Sequence, residues 1–127
     1  MTSVSPITRL LITLCFMGLL MAISIIPGRA QPGDSAFIWL VVKTPPLLQK
    51  VMHFCLYCLL TMLWIWTLDV IQSRPYRLAI AVTVAVCFGA ALEWYQTMVP
   101  GRFGNIFDVA LNAGGAILGL CIAILFF

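Results

Sequence analysis

Four apolar stretches, each long enough to cross a bilayer as a helix, make up most of this 127-residue chain. A hydrocarbon core about 30 Å thick needs about 20 helical residues at about 1.5 Å each. The stretches cover residues 10–26, 51–71, 78–99 and 107–127. With 63% hydrophobic and 9% charged residues, the composition excludes a water-soluble globule. The sequence therefore predicts an all-α fold, a polytopic membrane bundle of four transmembrane helices in a single domain over residues 1–127.

A shorter apolar patch, residues 36–42, separates the first two spans and is followed by Lys43-Thr44-Pro45-Pro46. The patch is too short to cross a bilayer, and the prolines stop a helix. It is therefore predicted to be an interfacial segment anchored by Trp39. The first span has an alternative interpretation as a cleaved secretory signal peptide, because Gly28 and Ala30 have the spacing of a cleavage site.

The charged loops indicate an orientation. Arg74 and Arg77 crowd a very short loop, as cytoplasmic orientation signals do. A raw count of Lys and Arg slightly favours the opposite side as cytoplasmic, but Lys50 and Arg102 on that side lie among acids and serve a site. We therefore expect both termini to lie inside.

Polar residues gather at three helix ends that antiparallel threading places on one side of the membrane. They are Lys50, His53 and Tyr57 in the second span, Glu93 and Gln96 in the third, Arg102 in the loop, and Asp108 and Asn112 in the fourth. Two pairs share a helix face through i, i+4 spacing: His53 with Tyr57, and Asp108 with Asn112. An ionised group within an apolar run costs about 3 kcal/mol or more unless it meets a partner or water. The sequence therefore predicts a compact polar pocket at one membrane rim.

Two functional hypotheses fit this pocket. In the first, Lys50, His53 and Arg102 donate to a phosphate, carboxylate or sugar of a membrane lipid or lipid-linked envelope precursor. Tyr57, Gln96 and Asn112 complete the binding site, and Glu93 and Asp108 accept hydrogen bonds or hold the basic groups. The second is a small hydrolase or transferase acting on a lipid-linked substrate. In it Glu93 and His53 act as acid and base near Asp108, and Arg102 stabilises negative charge. Recognition ranks first, because the sequence lacks a nucleophile, metal or nucleotide motif.

Structural interpretations stand beside these two. In one of them, the cluster is a buried ion network that fixes helix register and consists of Glu93, Arg102 and Asp108. In another, the chain is a subunit of a membrane assembly or a homo-oligomer that uses its small-residue faces between chains. The pair Gly115 and Gly119 and the patch from Gly89 to Ala91 are interpreted as packing surfaces.

Other chemistries are weakly supported. One His with two scattered carboxylates is a poor metal set, so no metal and no cofactor are predicted. Cys55 and Cys58 form a C-x-x-C inside a span and are interpreted as core residues. No basic run could track a nucleic acid, which is therefore excluded as a partner.

The ordered polar motifs resemble those of a known family. They are Lys50-Val51-Met52-His53, Glu93-Trp94-Tyr95-Gln96, Pro100-Gly101-Arg102 and Asp108-Val109-Ala110-Leu111-Asn112. From Leu10 to Phe127 the chain resembles the VanZ-like family of bacterial membrane proteins, which is named for resistance to teicoplanin. The resemblance implies a multi-pass protein of the bacterial cytoplasmic (inner) membrane and no established reaction. Members often carry Asp before the motif lysine, where this chain has Gln49, so a mechanism that needs that carboxylate does not transfer.

Overall fold

A computed structural model describes residues 4–25, 31–99 and 105–127 of the chain, and these residues contain helices and no strand. The elements are α1 (Pro6–Ser24), α2 (Ala36–Lys43), α3 (Pro46–Thr67), a 3₁₀ turn (Leu68–Val70), α4 (Arg74–Gln96) and α5 (Ile106–Phe126). Four helical segments are long and apolar enough to span a membrane: α1, α3 with its 3₁₀ turn, α4 and α5. The prediction of an all-α protein with four membrane spans is confirmed.

Three of these helices begin earlier than their apolar stretches, so the predicted starts at residues 10, 51 and 78 were wrong. Each begins with a proline in its first turn, at Pro6, Pro46 and Pro75. Proline suits the first turn because its missing N–H has no helical partner there. Polar residues that precede the apolar run, such as Lys50, therefore belong to the helix.

The predicted ends of two spans need correction as well. Helix α4 ends at Gln96, before the predicted residue 99, and the Thr97 hydroxyl donates to the Trp94 carbonyl at 2.6 Å. Helix α1 ends at Ser24. Ile25 follows as its C-cap residue, and residue 26 of the predicted span and the cleavage-site residues 28 and 30 lie outside the described residues.

The short patch between the first two spans forms its own helix, α2. The Ser35 hydroxyl accepts a hydrogen bond from the Ile38 amide at its start, and the Lys43 ammonium lies 5.2 Å from the Trp39 ring at its end. None of its residues is buried, and Phe37 and Leu40 are largely exposed. The predicted interfacial segment is therefore helical, which the sequence did not specify, and its position at a membrane surface stays a prediction.

Helix α3 lies at the centre of the bundle, in contact with α1, α4 and α5. Its closest approach is to α5, where a Cβ added to Gly115 would collide with the Phe54 carbonyl oxygen and one added to Gly119 with that of Cys58. The predicted small-xxx-small pair therefore packs two helices of one chain together. This face is already occupied, so it is not the surface that an assembly of several chains would use.

Polar contacts close one end of the bundle, here called the arginine end and defined by Arg9, Asp69, Arg74 and Arg77. The Asp69 carboxylate forms salt bridges with Arg9, at 3.2 Å between Oδ2 and Nη1, and with Arg77, at 2.8 Å between Oδ1 and Nη1. Arg74 donates to the Ile124 carbonyl at 3.0 Å near the end of α5. The ends of four helices therefore meet here, as antiparallel threading requires.

Candidate functional site

The opposite end of the bundle joins the start of α3, the end of α4 and the start of α5. It is called here the histidine end, and its described members are Lys50, His53, Tyr57, Gly89, Glu93, Gln96, Asp108 and Asn112. The Lys50 ammonium lies 5.5 Å from the ring of Phe107, which links α3 to α5. The Glu93 carboxylate accepts a hydrogen bond from the Asn105 amide at 2.9 Å, which links α4 to α5. Residues from three separate spans therefore meet at one end.

Glu93 is a buried carboxylate, 7% exposed, on the last turn of α4. Its partner Asn105 is the N-cap residue of α5, and the Asn105 side-chain oxygen accepts from the Phe107 amide at 3.0 Å. A negative charge at a helix start is stabilised by the unpaired amides there. Glu93 therefore fixes the start of α5 against α4, and it also lies within electrostatic range of Tyr57.

One helical turn before Glu93, α4 has a glycine, Gly89, that contacts Tyr57 and Asn112. A Cβ added to Gly89 would lie 2.8 Å from a Tyr57 ring carbon and 3.3 Å from the Asn112 Cβ. Only a glycine leaves room for both side chains. From the sequence, Gly89 was interpreted only as part of a packing surface, yet its i, i+4 spacing before Glu93 places both on one helix face, a signal that could have identified it.

Asn112 and Asp108 present acceptors that no described residue satisfies. The Asn112 side-chain oxygen is buried without a hydrogen-bond partner, in a residue that is 5% exposed. One oxygen of the half-buried Asp108 is in the same state. Because the two residues are one helical turn apart, both acceptors lie on one face of α5.

The remaining predicted residues differ in depth. Gln96 is buried, His53 is half-buried and Lys50 is exposed at the rim. Arg102 lies outside the described residues, and so does its predicted contact with the acids. The site thus combines an exposed lysine and a half-buried histidine with a deeper layer of carboxylates and amides.

Metal and redox chemistry gain no support from the described part of the chain. Within residues 4–25, 31–99 and 105–127, no three His, Cys, Asp or Glu side chains come close enough to hold a metal ion. Cys55 is exposed and Cys58 is half-buried, and both are free thiols. The carbonyl of Cys58 packs on Gly119, which fits a structural role for that segment.

Comparison with known proteins decides the family. A family model described as VanZ/LLP1 matches residues 9–127. The chain belongs to the VanZ/LLP1 family. An uncharacterized protein of Schizosaccharomyces pombe is 32% identical over 93 residues, which are 72% of this chain and 57% of that protein. The chain therefore spans a little over half the length of that relative. No solved structure matches this chain.

Membership of the VanZ/LLP1 family confirms the resemblance drawn from the polar motifs. The match includes all eight predicted site residues, because it extends from residue 9 to the last residue. The similarity to a yeast protein shows that sequences of this kind are not confined to bacteria. The bacterial inner membrane therefore remains a prediction, while a multi-pass helical fold is established.

Proposed function

We propose that the histidine end binds the phosphate-bearing headgroup of an anionic membrane lipid or of a lipid-linked envelope precursor. The observation that carries the proposal is the convergence of Glu93, Tyr57 and Asn112, each buried and each from a different span, directly inside the exposed Lys50. Polar side chains inside membrane spans are costly and mark ligand sites by default. A soluble ligand needs no such position at a membrane rim.

The order of residues along α3 supports a headgroup that enters from the rim. Lys50 and Tyr57 are separated by seven residues, about 10 Å along the helix axis. A phosphate placed near Lys50 and His53 meets cationic and hydrogen-bond-donating groups. Groups attached to that phosphate then reach the deeper layer of Glu93 and Asn112, and the acyl chains extend along the apolar faces of the bundle.

Two candidate ligand sources remain, and the family favours one of them. A relative from Schizosaccharomyces pombe indicates a ligand that bacterial and eukaryotic membranes share. Anionic phospholipids meet that condition, whereas a precursor of the bacterial envelope does not. An anionic phospholipid is therefore the first ligand to test.

The test is lipid retention by the purified full-length protein, measured by native mass spectrometry in mild detergent. Phosphatidylglycerol and phosphatidylethanol are compared with phosphatidylcholine of the same acyl chains. We expect both anionic lipids to be retained over phosphatidylcholine. Lys50→Gln should reduce this preference about 5-fold, because one basic residue contributes about 1 kcal/mol to binding an anionic lipid.

The matched control is Lys43→Gln, which removes the same charge from the exposed end of α2. We expect it to change the preference less than about 2-fold. Equal retention of anionic and zwitterionic lipids by the wild type contradicts the proposal. An equal loss in both lysine variants contradicts the assigned site and leaves only general charge attraction.

The catalytic alternative, with Glu93 and His53 as acid and base beside Asp108, is separated by adding a turnover assay with a lipid-linked substrate to the binding measurement. If Glu93→Gln retains lipid binding and loses turnover of a lipid-linked substrate, the site is catalytic. If Glu93→Gln and Arg102→Ala lose binding equally, and the wild type forms no product, the site is a recognition site.

A further inference from the structure

The deeper layer of the histidine end contains more acceptors than donors, and this constrains the ligand. Resting on the proposed function, we propose that the bound headgroup carries a hydrogen-bond donor, a hydroxyl or an ammonium group, that inserts beside Asn112 and Asp108. A lipid phosphate without such a group would leave these acceptors unpaired. The site then distinguishes lipids of equal charge by what is attached to the phosphate.

Asn112 provides the first argument. It is 5% exposed, and its side-chain oxygen has no partner among the described residues. A buried amide is normally paired, because an unpaired polar group in an apolar environment is costly. An amide oxygen that no described residue pairs, on a membrane-spanning helix, supports a partner supplied by the ligand.

The described neighbours of Asn112 show why they do not supply that partner. Tyr57 on α3 borders the same glycine as Asn112, and the Asn112 Cβ faces Gly89 on α4. The Tyr57 hydroxyl does not hydrogen-bond to the Asn112 oxygen, although the two residues border the same glycine. Aromatic carbon and backbone therefore form part of the surface beside Asn112.

Asp108 provides the second argument, because its unpaired oxygen lies one helical turn nearer the rim on the same face. Its partner cannot be a phosphate, since phosphate oxygens and carboxylates both carry negative charge and both accept. A hydroxyl or ammonium group suits both positions. Two adjacent acceptors therefore indicate a donor on the headgroup, which is attached to the phosphate on the side away from the acyl chains and inserts into the bundle while those chains remain outside it.

The experiment compares lipids that differ only in a donor. Phosphatidylglycerol and phosphatidylethanol are both monoanionic phosphodiesters, but only the first has free hydroxyls. Phosphatidylethanolamine and phosphatidylcholine are both zwitterionic, but only the first has ammonium protons. Each pair is added with identical acyl chains, and retention is measured by native mass spectrometry. Preference within the first pair identifies a hydroxyl, and preference within the second an ammonium group.

We expect the wild type to prefer the donor-bearing lipid of at least one pair about 3- to 10-fold, the value of one or two hydrogen bonds. Asn112→Leu should lower that preference towards one, because only the Asp108 acceptor then remains for the donor. Thr83→Val, on the exposed face of α4, is the matched control and should keep the full preference.

The outcomes separate this inference from the proposed function. If the wild type retains anionic lipids but treats both pairs equally, the donor inference fails and the phosphate site stands. If no anionic lipid is retained, both fail. If Asn112→Leu does not fold, Asp108→Ala removes the neighbouring acceptor and should lower the preference in the same way, and the wild-type comparison already decides whether a donor matters.

Discussion

The two ends of the bundle use similar residues in opposite ways. At the arginine end, both oxygens of Asp69 are engaged by arginines, and Arg74 binds carbonyls at the end of α5. At the histidine end, one oxygen of Asp108 and the amide oxygen of Asn112 have no partner among the described residues. The polar groups of the first end are paired within the protein, whereas the second end has buried acceptors that a ligand could pair.

The arginine end also has one buried atom without a hydrogen-bond partner in the described structure, the Arg77 Nε. The same guanidinium nevertheless donates to Asp69 at 2.8 Å, so its charge is neutralised. Asn112 makes no hydrogen bond through its oxygen. Pairing of whole groups, and not the presence of charge, therefore separates the arginine end from the histidine end.

The largest expected effect concerns the glycine contacts that hold the histidine end together. Gly115→Leu places a side chain where the Phe54 carbonyl lies, so α5 must move away from α3. We expect a loss of about 3 kcal/mol or more and little folded protein. Gly18→Leu is the control, because nothing lies within 4 Å of a Cβ added there. Thermal unfolding in detergent measures both, and equal stability of the two variants would contradict the assigned helix contact.

The next effect tests the salt bridges at the arginine end. Asp69→Ala leaves Arg9 and Arg77, whose side chains are 17% and 19% exposed, without their shared carboxylate. Because the aspartate itself is 58% exposed, we expect a loss of about 1–2 kcal/mol, between the values for surface and buried pairs. Asp108→Asn, which removes the same charge from the other end, should change the free energy of unfolding by less than about 1 kcal/mol. A larger loss in Asp108→Asn than in Asp69→Ala reverses the comparison.

Replacing one buried polar side chain at each end by an apolar one should change the free energy of unfolding in opposite directions. Asn112→Leu removes an unpaired amide and should stabilise the protein by about 1 kcal/mol while lipid selectivity falls. Thr13→Val removes the 2.6 Å hydrogen bond between the Thr13 and Thr67 hydroxyls and should destabilise by about 1 kcal/mol. Both free energies come from reversible unfolding in mixed detergent. Destabilisation by both variants would show that Asn112 has a structural role.

Much of this arrangement could be predicted from the sequence, since hydropathy marks the spans and antiparallel threading groups their ends. That reasoning brought Glu93, Asp108 and Asn112 together without coordinates, because helix direction alone decides which end a residue occupies. The helix starts were misplaced because first turns that begin with Pro6 and Pro46 contain polar residues. Hydropathy measures apolarity and does not measure helix formation.

What the sequence could not predict depends on helix rotation and side-chain geometry. Arg9 and Arg77 were interpreted only by their charge and loop position, yet each reaches Asp69 across the bundle. Whether a buried amide is paired depends on distances of a few tenths of an ångström, which spacing along the chain does not encode. Gly89 was missed as part of the site for a similar reason, since its role exists only once Tyr57 and Asn112 face it.

The smallest expected effect compares the cation–π contact at each end. The Arg9 guanidinium lies 5.3 Å from the Trp66 ring and also donates to the Trp66 carbonyl, whereas Lys50 lies 5.5 Å from the largely exposed Phe107 ring. Phe107→Leu should cost about 0.5 kcal/mol, the value of an exposed contact of this type. Trp66→Leu should cost more, because it also removes packing beside a mostly buried arginine. Unfolding measurements with and without phosphatidylglycerol sharpen the contrast, since the lipid should stabilise the Phe107→Leu protein as much as the wild type if Lys50 binds its phosphate directly. Loss of that stabilisation in Phe107→Leu would mean that the ring, and not the lysine alone, positions the charge that the phosphate meets.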